Sequence, residues 1–123
     1  MKFVKSILSL SGGYQYKDAS DIEMNILGDF LISDVYRPSS FREWFFDQST
    51  PYASGNLTSL KKENGYVFLW ELYSEETSPT KLKVTYFQFL KLLDDWEEKV
   101  LKPRPKEVII KYENDEFTVE TKS

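Results

Sequence analysis

Histidine and cysteine are both absent from this chain of 123 residues. Without imidazole, the usual general base near neutral pH and the commonest metal ligand are missing. A Ser-His-Asp triad is excluded outright. Without thiols there is no cysteine nucleophile, no soft metal site and no disulfide framework. No Asp-x-Asp-x-Asp-Gly loop offers a site for a hard cation. Gly12-Gly13 is followed by neither a Gly-Lys-Ser/Thr run nor a helix signal, so it is not read as a phosphate loop. Long apolar runs are also lacking, and nothing approaches the roughly 18 residues of a membrane span. Met1 to Leu8 looks faintly like a secretion signal. Ser6 and Ser9 break its apolar run and no small-residue cleavage site follows, so a soluble, cytoplasmic protein is expected.

Basic residues are outnumbered, with 16 Lys and Arg against 20 Asp and Glu and a formal charge of −4. Such a balance argues against binding nucleic acid through its phosphates, which needs clustered cations. It suits a basic protein partner, steered in at long range. Paired carboxylates could in principle act as acid and base, as in glycosidases. Asp94 with Glu98, or Glu71 with a neighbour, would be the pairs, but no spacing selects either. No catalytic residue, cofactor or metal ligand is therefore assigned.

Rings are plentiful: 9 Phe, 8 Tyr and 3 Trp. Each can bury about 150–250 Å², enough for one core without disulfides or metal. The length fits a single domain spanning residues 1–123. Residues 2–10 read as a strand ended by Gly12-Gly13, and Tyr14 to Ser20 as a loop. From Ile22 the alternation of Ile22, Met24 and Ile26 predicts a second strand, interrupted by a bulge at Gly28-Asp29 and continued by Phe30-Leu31-Ile32. Ser40 and Glu43 form a capping box in sequence, predicting a short helix over about residues 41–48. Asn64-Gly65 is the strongest hairpin signal, because both central positions of a type I′ turn need positive φ. That turn sets Lys61 opposite Phe68, Ser59 opposite Trp70 and Leu57 opposite Leu72. The strand after the turn, apolar on both faces, is expected to be central and covered on both sides.

Leu82 and Val84 mark a short strand. Thr85 and Gln88 form a second capping box and open the best helix. Tyr86, Phe89, Leu90, Leu93, Trp96, Val100 and Leu101 make its apolar stripe. Asp95 with Lys99 and Glu98 with Lys102 are i,i+4 pairs, and Pro103 stops the helix. The tail is a hairpin around Asn114-Asp115, with Tyr112 facing Phe117 and Ile110 facing Val119. The expected class is α+β: a mainly antiparallel sheet of about six or seven strands with one long and one short helix packed on it.

Two features stand out as candidate contact surfaces. Asp94, Asp95 and Glu98, with Glu75 and Glu76 elsewhere, could neutralise Arg and Lys on a partner; equally, such runs form solvated helix faces. Trp44, Phe45 and Phe46 are consecutive, so one helix face cannot bury all three. Trp44 and Phe46 are the candidate anchors, unless sheet and loop cover both sides of the helix.

Thr85-Tyr86-Phe87-Gln88-Phe89-Leu90-Lys91-Leu92-Leu93-Asp94-Asp95-Trp96 followed by Pro105-Lys106-Glu107-Val108-Ile109-Ile110-Lys111-Tyr112 resembles small acidic immunity proteins of bacterial polymorphic toxin systems, particularly Gram-positive ones. The likeness is confined to the last third of the chain and transfers no individual residue role. It implies stoichiometric binding to a cognate toxin domain, often a basic nuclease, in the producer's cytoplasm. The alternatives are an interaction or homo-oligomeric assembly module, such as a homodimer, and a small-molecule binder using an aromatic-lined sheet.

Overall fold

The computed structural model describes residues 5–14, 16–19, 21–74 and 81–123. The class is α+β, but the strands form two four-stranded antiparallel sheets rather than one sheet. The first sheet has the order β2-β1-β7-β8, from β1 (Lys5–Ser11), β2 (Tyr16–Ala19), β7 (Glu107–Glu113) and β8 (Glu116–Lys122). The second has the order β3-β4-β5-β6, from β3 (Tyr52–Ser54), β4 (Thr58–Glu63), β5 (Tyr66–Glu71) and β6 (Leu82–Thr85). Three helices accompany them: α1 (Ile22–Asp29), α2 (Pro38–Phe46) and α3 (Tyr86–Trp96). Both α1 and α3 end in a turn of π-helix, over Phe30–Asp34 and Glu97–Leu101. Among the described residues, no helix is long and apolar enough to cross a membrane.

Both hairpin registers match their sequence signals. Asn64 and Gly65 take positive φ, and Lys61 pairs with Phe68 and Ser59 with Trp70. Asn114 and Asp115 also take positive φ, with Tyr112 opposite Phe117 and Ile110 opposite Val119. Alternation then sorts the faces. Leu8, Leu10, Val108, Ile110, Tyr112, Phe117 and Val119 turn inward from the first sheet, and Leu60, Val67, Leu69, Leu82 and Val84 from the second. Helix α1 touches β1, β2, β5 and β6, while α3 touches β5, β6 and β8. These two helices therefore lie between the sheets, and one buried cluster draws on both.

The segment read as a bulged strand at 22–32 is instead α1 and its π turn. Asp21 caps it, its carboxylate accepting from the Met24 amide at 2.9 Å. Met24, Ile26, Leu27, Phe30 and Leu31 are all buried between the sheets, while Ile22 is exposed and Glu23, Asn25 and Asp29 are half-buried. Gly28 is not a bulge. A Cβ there would lie 3.0 Å from Lys17 Cδ and 3.1 Å from the Leu8 methyls, so glycine lets α1 approach β1. Helix α2 begins earlier than expected. Pro38 stands in its first turn and Arg37 precedes it without a side-chain cap, so Ser40 is inside the helix and the expected Ser40–Glu43 box is not used. The Thr85–Gln88 box of α3 is formed in full. The short edge strand β2 occupies a segment expected to be loop, and β3 is a short edge strand of the second sheet.

Candidate functional site

The acidic run on α3 is tied to cations of the same chain. Arg42 reaches across from α2, donating from Nη2 to Asp94 and from Nη1 to Glu97, both at 2.7 Å. Asp95 pairs with Lys91 at 2.8 Å and Lys99 at 4.0 Å, and only 17% of its side chain is exposed. Glu98 pairs with Lys102 at 2.7 Å, which raises the Lys102 pKa. Asp94 and Glu98 remain about two-thirds open, at 64% and 62% side-chain exposure. Exposed pairs of this kind are worth about 0–1 kcal/mol, so a partner's Arg can replace the internal cation at little cost. Asp95, enclosed by two lysines, is a worse donor to such an exchange. Glu75 and Glu76 lie outside the described residues.

The three consecutive rings divide as their spacing requires. Phe46 is 68% exposed at the end of α2, one turn beyond Arg42 and so on the same side of that helix. Phe45 packs on Tyr86 and Phe89, with ring centroids 4.9 and 5.8 Å away. Trp44 turns inward, edge-on to Phe89 at 6.0 Å, and its Nε1 is buried without a hydrogen-bond partner among the described residues. Of the sequence candidates, Phe46, Asp94 and Glu98 thus belong to the outer side of the α2–α3 pair, while Trp44 does not.

Sequence reasoning did not anticipate Lys62. It stands on the inward row of β4, opposite Val67. Its Nζ lies 4.9 Å from the Trp44 ring centroid and donates to the carbonyls of Trp44, Phe45 and Asp47. An ammonium at these terminal carbonyls complements the negative end of the α2 dipole. Burial pulls the Lys62 pKa down, partly offset by the Asp47 carboxylate.

The outer face of the second sheet is aromatic and cationic. One cross-strand row runs Tyr52, Lys61, Phe68, Lys83. Lys83 sits 4.0 Å from the Tyr66 ring centroid, Lys81 5.3 Å from Trp70 and Lys61 5.3 Å from Tyr52. As expected, β5 is central in its sheet, but its outer side is enclosed only at one end, where Trp70 is 5% exposed. Tyr66 and Tyr52 are exposed, Phe68 is half-buried, and lysines rather than a second core lie over the rings. The first sheet shows solvent a plainer row, such as Ile7, Lys111 and Thr118.

This aromatic face ends in a cleft of about 640 Å³ between the β7–β8 turn, the ends of β5 and β6, and the first turn of α3. Gln88 ties its walls together. Its Oε1 accepts from the Thr85 amide and its Nε2 donates to the Asp115 carbonyl, both at 2.8 Å. The Tyr112 hydroxyl donates to Asp115 Oδ1 at 3.1 Å. Burial, then that carboxylate, pushes the Tyr112 pKa up.

Asp34 is the most enclosed carboxylate described, at 4% exposure. It accepts from the amides of Asn56, Leu57 and Thr58 and from the Thr58 hydroxyl. These bonds clasp the end of α1's π turn to the loop that leads into β4. Its signal in the sequence is faint, since neither Asp34 nor the Gly55 that leaves it room stands in a recognisable motif. Among the described residues, no three acidic side chains gather as a metal site. No protein-family model matches this chain, and neither the curated proteins nor the solved structures give a significant match to it.

Proposed function

We propose that this chain is a non-enzymatic binding protein that inhibits a cognate toxin domain by stoichiometric contact in the cytoplasm. The toxin partner is what the resemblance to immunity proteins implies. The observation that carries the binding role is the pairing of an exposed ring with an exchangeable acidic ridge. Phe46 is 68% exposed one helical turn from Arg42, the residue that bridges to Asp94 and Glu97. Aromatic anchors near the centre of an interface supply much of its binding energy. The surrounding carboxylates supply register and a fast approach to a basic surface. The absence of imidazole and thiol from the sequence supports inhibition by contact over chemistry.

The test is co-expression with the C-terminal domain of a large toxin reading frame adjacent to this gene. Growth rescue together with a one-to-one complex is the expected result. The triple variant Phe46→Ala/Asp94→Lys/Glu98→Lys should lose rescue while melting within about 4 °C of the parent. Rescue by the variant would move the interface elsewhere on the molecule. If no such domain is toxic or bound, and light scattering gives a dimer of this chain, the assembly-module reading replaces this one.

A further inference from the structure

We propose that the cleft at the start of α3 is a carbohydrate site, accepting neutral or amino sugars and rejecting acidic ones. This goes beyond the protein-partner reading, and it concerns a different part of the surface. At about 640 Å³ the cleft is within the range of small-ligand sites, about 300–1,000 Å³. Its shape is fixed before any ligand arrives, because Gln88 bonds the helix start to the β7–β8 turn.

Two of its walls are rings in contact with water. Phe87 is 73% exposed at the second position of α3 and packs on no other ring or cation among the described residues. Tyr66 is 36% exposed, with Lys83 over its ring at 4.0 Å. An exposed phenyl ring has an electron-rich face that attracts polarised C–H groups. A pyranose offers such a flat C–H face, with hydroxyls around its edge.

The polar groups facing the rings suit those hydroxyls. Asn114 and Glu116 line the cleft, and neither side chain has a hydrogen bond or ion pair within the described chain. An amide can donate and accept, a carboxylate accepts, and an ammonium donates. Vicinal hydroxyls can satisfy all three at once. The charges decide among sugars. Lys83 opposes Asp115 and Glu116, so the cleft holds one cation against two carboxylates. A uronic acid would add a third negative charge, whereas a neutral sugar adds none and an amino sugar reduces the imbalance.

Nuclear magnetic resonance of the intact chain tests this with cellobiose, N-acetylglucosamine, glucosamine and glucuronic acid as probes at millimolar concentration. The expected result is shifts confined to the rings of Phe87 and Tyr66 and the amides of Asn114 and Glu116. Phe87→Ala and Glu116→Gln should each weaken binding about tenfold, or about 1.4 kcal/mol. Both residues are exposed, so the variants should fold, and unchanged melting would verify it. Silence from all the probes overturns the proposal. So does binding that survives Phe87→Ala, or glucuronic acid binding as tightly as glucosamine. No toxin is present in the experiment, so its outcome does not depend on whether a protein partner exists.

Discussion

Asp34, Lys62 and Trp96 each fasten one piece of chain to another, and each can be tested singly. Asp34→Ala would leave the buried amide and hydroxyl of Thr58, and the more open amides of Asn56 and Leu57, without their acceptor. Buried groups left unpaired cost about 1–3 kcal/mol each, so the two on Thr58 set an expected loss of at least about 2 kcal/mol in denaturant unfolding. A loss under about 1 kcal/mol would mean that water replaces the carboxylate. Lys62→Met keeps the stem but removes the ammonium from the end of α2, which should cost about 1–2 kcal/mol. Lys62→Arg should recover part of that. Trp96 is buried at 2% exposure and donates from Nε1 to the Val35 carbonyl at 3.1 Å. Trp96→Ala should cost about 3–5 kcal/mol. Its burial was legible from the stripe of α3. The Lys62 tether was not, because its partners are backbone carbonyls on another element, which carry no sequence signature.

Local chemistry decided which elements could be read in advance. The two tight hairpins and the α3 cap are written in adjacent residues, so their registers and ends came out as expected. Helix α1 did not, because contacts from two sheets bury so broad a stripe of it that the helical period is blurred. Ile22, Met24 and Ile26 satisfy a period of two, yet only Met24 and Ile26 join the core and Ile22 lies exposed. Gly28 reinforced the error, since an isolated glycine reads as a bulge until its neighbours are known. Gly28→Ala sharpens the point. Propensity alone favours alanine by about 1 kcal/mol. Leu8, fully buried, stands 3.1 Å from the added methyl and has little room to move. The variant should therefore fail to stabilise the protein, and a raised melting temperature would show that β1 yields.

Charge and titration belong to the assembled molecule rather than to any one segment. The acidity visible in composition is partly spoken for once Arg42, Lys91, Lys99 and Lys102 are in place. No reading of the run 94–98 alone could foresee the Arg42 bridge from α2. Two phenols report on the fold itself. Tyr14 packs near Trp96 and donates to the Pro105 carbonyl, and burial raises its pKa, with Arg104 opposing in part. Tyr112 is raised by burial and then by the Asp115 carboxylate. The folded state thus keeps protons that the unfolded chain releases above about pH 10. Stability from these groups is whole below that pH and declines as pH climbs through the raised folded values. Unfolding midpoints followed with phenolate absorbance should fall in the alkaline range, and Tyr14→Phe/Tyr112→Phe should flatten the fall. A parent protein with no alkaline loss would refute the assignment.

The π turns at the tails of the two inner helices have a consequence for how the chain can change length. Dropping one residue within 97–101 would close that turn into ordinary α-helix and leave positions 86–96 where they are. The connector through Pro103 and Pro105 would keep its place, because the wide turn is what takes up the extra residue. Trimmed or lengthened descendants of this protein should therefore differ first at these two helix tails, with the turns beside the cleft keeping their spacing.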